Sequence, residues 1–242
     1  MLLSSGCAES KELTRSHALT LIKNSKEFKE PALLKVRNGD PLKLEALAAD
    51  ETEQDAQARA VEFYLNDQPM LAVLRYLDLI EVKAEVVEKP KVIKAPAIIV
   101  NRPDGTVGKT PVGSDRLTDW SFIIRTNLTA KGKEAAQSDE RSIPLYTKRV
   151  IEVTGITNTS EQAGQARAEF TWRIVPTKVG EAFDPTSQTY KSLPPELQQL
   201  LRKPFGVMQK TPLASTSEID SSIQKGAAAF QRYDDGWRLI GL

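Results

Sequence analysis

Apolar positions recur three and four residues apart between residues 13 and 28 (LTRSHALTLIKNSKEF), with Ala18, Leu21, Ile22 and Phe28 near one face. That spacing predicts a helix, and Thr14 can cap it. After Pro31, residues 32–36 (ALLKV) read as a short strand, and Asn38-Gly39-Asp40-Pro41 reads as a turn. Residues 42–65 are helical in character, in one or two pieces, and the second part, EQDAQARAVEFYL, is rich in strong helix formers. Pro69 suits the first turn of a third helix, MLAVLRYLDL, whose Leu71, Leu74, Leu77 and Ile80 form a stripe. There the period changes. Residues 80–89 (IEVKAEVVEK) alternate apolar and charged side chains, as a half-buried strand does. The stretch 94–116 reads as loop, with a short strand at AIIV and a turn at Pro103-Asp104-Gly105, and 120–129 (WSFIIRTNLT) as a further strand.

The second half has a different texture. Residues 146–158 and 166–176 form an antiparallel hairpin across the polar loop SEQAGQ. In its first strand Val150, Glu152 and Thr154 alternate with Ile151, Val153 and Gly155. In its second, Ala168, Phe170, Trp172 and Ile174 share one face, a stripe that must pack on a helix or a second sheet. Residues 194–205 read as a short helix bounded by Pro194-Pro195 and Pro204. The tail reads as a hairpin, 227–232 in and 237–240 out, turning at Asp235-Gly236, with its last strand pairing inside the sheet.

The order of elements in the first half resembles a winged-helix domain. The phrases that carry the resemblance are VLRYLDLIEV at 73–82, a leucine-rich helix leading into a wing strand, and LTAKGKEA at 128–135, a return strand and its close. The resemblance covers roughly residues 11–136 and implies a two-stranded wing, here lengthened by a long insertion. The fold class expected is therefore α+β, with a helix-rich, winged-helix-like N-terminal half followed by an antiparallel β-rich C-terminal half with a short helix. The domains expected are 1–10 as a tether, 11–140 as the α+β winged-helix-like domain, and 141–242 as the antiparallel α+β domain.

Composition narrows the function classes. Lys+Arg is 33 against Asp+Glu 32, a net charge of +1, so no concentrated cation excess marks the whole chain as a follower of phosphate backbones. One cysteine and one histidine exclude a disulfide framework and any multi-cysteine or multi-histidine metal site. No metal or cofactor is expected. The third helix offers only Arg75 and Asp78 as charged groups, too few donors for a recognition helix, so nucleic acid is a disfavoured partner.

Several motifs invite chemistry and fail on their surroundings. Gly108-Lys109-Thr110 looks like the end of a phosphate-binding loop, but Pro103 replaces its first glycine and Pro111 pushes Thr110 out of the helical region. Asp234-Asp235 sits on a turn, where neighbours point apart. His17 lacks a G-x-S-x-G serine to act on. Glu181 and Asp184, flanking Phe183 after a strand end, are the candidate lining of a ligand cleft, and no catalytic residue is expected.

The remaining signal is MLLSSGCAES. Leu3-Ser4-Ser5-Gly6-Cys7 resembles the lipobox of bacterial lipoproteins, which ends in Gly-Cys. The leucine lies one place further from the cysteine than is usual in that family. The resemblance implies acylation of Cys7, and each buried methylene adds about 0.8 kcal/mol of membrane affinity. The expected function is a non-enzymatic lipoprotein of the bacterial envelope, reaching the membrane surface through Cys7 and binding a protein or small molecule. The alternative is a cytoplasmic winged-helix regulator with a C-terminal sensing domain.

Overall fold

In a computed structural model of the chain, residues 12–48, 50–101, 107–111, 114–136, 141–160, 164–203 and 218–242 are described. Their order begins α1 (Arg15–Asn24), α2 (Lys26–Lys29), β1 (Ala32–Lys35), β2 (Leu42–Leu44), α3 (Glu53–Asn66), α4 (Pro69–Tyr76) and β3 (Ile80–Glu88). It continues β4 (Val92–Ile93), β5 (Ala97–Asn101), β6 (Val107–Pro111), β7 (Arg116–Leu117), β8 (Trp120–Leu128) and α5 (Ala130–Ala135). It ends β9 (Ser142–Ser160), β10 (Gln165–Pro176), a 3-10 turn (Gly180–Phe183), α6 (Gln188–Lys191), α7 (Pro195–Arg202), β11 (Gln224–Tyr233) and β12 (Gly236–Gly241). The fold is α+β, with 31% helix and 39% strand. Strand exceeds helix because the half read as helix-rich contributes β1 to β8 as well as its helices.

The chain divides into two compact units, Met1–Leu34 with Ile143–Leu242, and Lys35–Ser142. Residues 12–34 thus group with the C-terminal half rather than with the rest of 11–140. The reason is packing. Ala18 and Ile22 of α1 and Phe28 of α2 share one apolar cluster with Val150, Val153, Ala168, Phe170, Phe230 and Trp237. The rings of Phe28 and Phe170 meet edge to face at 5.6 Å.

Unit 1 is a curled antiparallel half-barrel of five strands in the order β1-β9-β10-β11-β12. Ala166, Ala168 and Phe170 are buried and alternate with exposed Gln165, Arg167 and Glu169, the period-two pattern of a one-sided sheet. The strict alternation expected in β9 is broken. Val153 pairs with Phe170 and Val150 with Trp172, so three steps on β9 match two on β10. This bulge turns both valines toward the core and leaves Ile151 40% exposed. β12 pairs only with β11 and forms an edge of the sheet rather than pairing inside it. The helix read over 13–28 is also interrupted. Ser25 is extended, and its hydroxyl donates to the carbonyl of Ile22 at 2.7 Å, ending α1. Beyond β10, Gly180 lies where an added Cβ would stand 1.7 Å from the Leu145 carbonyl oxygen, so only glycine admits this close approach.

In unit 2 the sheet order is β2-β8-β3, with Leu42 opposite Phe122 and Ile80 opposite Leu128. Residues 42–44 are thus strand, not the start of a long helix: paired with β8, Leu44 buries its side chain and fills backbone hydrogen bonds that an isolated helical turn would not. α3 packs on β3 and β8 over a core that includes Ala60, Val61, Leu74, Phe122 and Ile124. The ends of the unit are latched. Asn38 Oδ1 accepts from the Thr126 amide and from Arg141, Arg141 also donates to the Thr126 carbonyl, and the Val36 amide donates to the Arg141 carbonyl at 2.7 Å.

The phrase LTAKG has a local explanation. Thr129 accepts from the Gly132 amide as the cap of α5 while its hydroxyl donates to the Asp78 carbonyl at 2.6 Å. Lys131 donates to the Leu77 carbonyl at 2.7 Å, at the end of α4. These contacts hold Asp78 in the left-handed region at φ 59°, which aspartate tolerates better than most residues.

Within the stretch 94–116, read as loop, the strand expected at AIIV is present as β5, and the described residues add pairing that was not expected. β4 meets β7, with Val92 opposite Leu117, and β5 meets β6, with Ala97 opposite Pro111. Together with β3 and β8 they make one long hairpin arm in three steps. Pro90 and Pro96, which lack an N–H, stand at the two breaks. Side chains bridge them: Thr118 Oγ1 accepts from the Lys91 amide and Asp115 Oδ1 from the Ala95 amide, both at 2.8 Å.

The two kinds of glycine give a stability test. Gly180→Ala should lower stability by about 1–3 kcal/mol, the range for an overfilled site. Gly155→Ala, where an added Cβ meets nothing within 4 Å, should stay within about 0.5 kcal/mol of wild type. Thermal melting of the two variants measures the difference.

Candidate functional site

Glu181 lies within the 3-10 turn of unit 1 and Asp184 caps its end, and both accept hydrogen bonds from nearby threonines. Asp184 is 5% exposed, and its Oδ1 accepts from both the amide and the hydroxyl of Thr186 at 2.9 and 2.7 Å. Glu181 is exposed, and its carboxylate accepts from Thr189 Oγ1 at 3.1 Å. Neither lines the two hollows described below. Cys7 lies outside the described residues. Asp235 forms an ion pair with Arg238 across the tail turn, and this hydrogen bond lowers its carboxyl pKa. His17 is exposed on α1. Gly108 to Thr110 belong to strand β6, not to the start of a helix. Among the described residues no group of three or more His, Cys, Asp or Glu is placed to hold a metal ion. No described helix is long and apolar enough to cross a membrane.

The hollow in unit 1 has a volume of about 490 Å³. Its walls are Lys26, Glu27 and Glu30 from α2 and its end, Pro31 and Ala32 at the start of β1, and Tyr146 and Lys148 on β9. Each cation is matched, Lys148 by Glu27 and Lys26 by Glu30 at 3.9 Å. Lys148 also stands 5.0 Å over the Trp172 ring, which meets Phe28 edge-on at 5.9 Å. The hollow therefore presents matched charges and the Tyr146 phenol. It can accept and donate hydrogen bonds to a polar segment with charges of both signs. Its volume falls within the range of ligand sites.

A second hollow, of about 510 Å³, lies in unit 2 between α3, Arg75 of α4 and residues Val82 to Glu85 of β3. Two further clusters bind polar groups tightly but are filled by the protein itself. Tyr190 is 1% exposed and donates to Glu218, which also accepts from Arg202 at 3.2 Å. Burial, with Glu218 adding to it, raises the Tyr190 phenol. In unit 2 the Glu51 carboxylate accepts from the Leu47 amide, the Arg59 guanidinium and the Trp120 indole at 2.8 to 3.2 Å. Burial alone would raise its pKa, but these donors together hold it below the ordinary glutamate range.

The hairpin arm carries the feature that the sequence reading passed over. From Lys89 to Thr118 the described residues hold Lys89, Lys91, Lys94, Lys109 and Arg116 against Asp115. The Asp115 carboxylate already accepts from a backbone amide. Beside these cations Val87, Val92 and Ile93 are 59%, 53% and 58% exposed. A running local charge count along the sequence would have found this segment.

Comparison with protein-family models, with curated proteins and with solved structures gives no match.

The Glu51 cluster sets a pH dependence. Its folded-state pKa is below the ordinary value, so its contribution is present above the ordinary glutamate range and is lost as pH falls through the folded value. Glu51→Gln should lower the melting temperature at neutral pH and lessen the further fall on acidification. Parallel melts of wild type and variant across the acid range test this.

Proposed function

We propose that the chain is a non-enzymatic binding protein of the bacterial cell envelope, held at a membrane by a lipid on Cys7. Its recognition surface is the hollow beside α2, which takes a polar segment of a protein or a small polar ligand. The observation that carries this reading is the spacing between the lipobox-like cysteine and the folded body. Leu13, six residues after Cys7, is 6% exposed in the unit 1 cluster. Six residues of fully extended chain span at most roughly 20 Å. A lipid on Cys7 would hold unit 1 within that distance of the membrane surface. The matched charges of Lys26, Glu27, Glu30 and Lys148 suit recognition, since each carboxylate there is paired with a cation.

The finer winged-helix reading is favoured by one observation in unit 2. The succession β2, α3, α4, β3, arm, β8, with β8 between the other two strands, follows the order that the resemblance implies. α1, which would be the first helix of such a domain, packs in unit 1 instead. On α4 only Arg75 and Tyr76 are exposed, which supports a protein-binding use over a DNA-binding one. A salt-dependent assay with duplex DNA separates the two: a regulator binds at low salt, and the envelope protein does not.

The tether is tested by mass spectrometry of the protein recovered from bacterial membranes. The expected product begins at an acylated Cys7, and Cys7→Ser moves the protein to the soluble fraction. A free thiol at Cys7 behind an intact Met1 overturns the reading.

A further inference from the structure

Among the described residues, no layer is packed on the middle step of the arm from Lys89 to Thr118, the β4–β7 pair. Successive residues of an extended strand point to opposite faces. Val92 and Ile93 are successive in β4, and both are more than half exposed, so neither face of the ribbon is covered. Exposed Lys91 and Lys94 flank these two residues along the chain. Arg116 lies directly across from Ile93, so that face joins an aliphatic side chain to a cation. A two-stranded ribbon alone is marginally stable in water, so an apolar and cationic ribbon gains from a surface that accepts both kinds of group.

We propose that this arm enters the headgroup boundary of an anionic lipid surface edge-on, so that both of its faces meet lipid: Val92 on one face and Ile93 on the other contact the boundary, with Val87 beside them, while Lys91, Lys94 and Arg116 face lipid phosphates. Charge complementarity names the occupant. Lys89 is paired with Glu53 and Lys91 with Glu88, but these are exposed ion pairs of small worth, which an anionic surface can replace. Lys94 and Arg116 are exposed, with no ion-pair partner shown among the described residues. Affinity for such a surface grows with buried apolar area and with charge attraction together. A nucleic-acid backbone uses the cations but gains nothing from three uncovered aliphatic side chains, so the lipid surface is favoured.

The proposal does not rest on the tether, and the experiment keeps the two apart. The full chain carrying Cys7→Ser, which has no thiol to acylate, is sedimented with vesicles of equal parts phosphatidylglycerol and phosphatidylcholine, with pure phosphatidylcholine vesicles, and with mixed-sequence duplex DNA. Binding to the anionic vesicles alone, weakening as salt rises, is the expected result. Each cation near the surface accounts for about fivefold in affinity, so Lys91→Gln with Lys94→Gln should weaken binding more than tenfold. Val92→Ser with Ile93→Ser should weaken it while leaving the salt dependence in place. All four positions are exposed, so these variants remove no core contact. Failure of the Cys7→Ser protein to bind anionic vesicles overturns the proposal. So does equal binding to pure phosphatidylcholine, unchanged binding by the lysine variant, or DNA binding as tight as vesicle binding.

Discussion

Unit 1 depends on the contact between a helical stripe and the apolar face of a curled sheet. Ala18, Ile22 and Phe28 meet Val150, Phe170, Phe230 and Trp237, and each large side chain so buried contributes about 1.5–3 kcal/mol. Among the described residues, neither α6 nor α7 contributes a side chain to that cluster. This contact sets the plan of the whole chain. It draws the N-terminal helix away from its sequence neighbours and makes residues Lys35–Ser142 an insertion between β1 and β9, which are adjacent in one sheet. The Asn38–Arg141 latch then closes the insertion on itself.

Both units meet solvent with their charges arranged locally. In the hollow of unit 1, cations and carboxylates sit side by side and cancel. In the arm of unit 2, cations outnumber anions, and the excess is balanced elsewhere along the chain. A whole-chain net charge of +1 hides this difference, since it sums over both units. The physics that decides association acts within about 8–10 Å at ordinary ionic strength, so the local arrangement matters more than the total.

Element types were legible in the sequence wherever one period held for two turns or more. The Pro69 helix, the charged alternation of β3 and the Asp235-Gly236 hairpin all follow from local rules. So does the Ala168-Phe170-Trp172 face of β10. The departures have non-local causes. Leu42 to Leu44 form a strand because β8 is there to pair with them. The polar, proline-broken stretch after Lys89 pairs because Thr118 and Asp115 offer acceptors to amides beside the two prolines, a provision made 27 and 20 residues away along the chain. The bulge in β9 is invisible to a strict period of two. For the site, the sequence drew attention to Glu181 and Asp184 because carboxylates flank an aromatic residue. The charged walls of the hollow come from α2 and β9, which only the fold brings together.

The insertion also governs the order in which the protein can assemble on the ribosome. Unit 2 is a continuous stretch of chain, and its partners all follow one another closely in synthesis. Unit 1 is not: α1 emerges first, yet the strands that cover it emerge only after the whole of Lys35–Ser142. Its apolar stripe must therefore wait uncovered while the inserted unit is made, and closing so long a span is the slow kind of folding event. A vectorially made chain of this plan completes its middle before its ends, and the half-barrel is the last part to become whole.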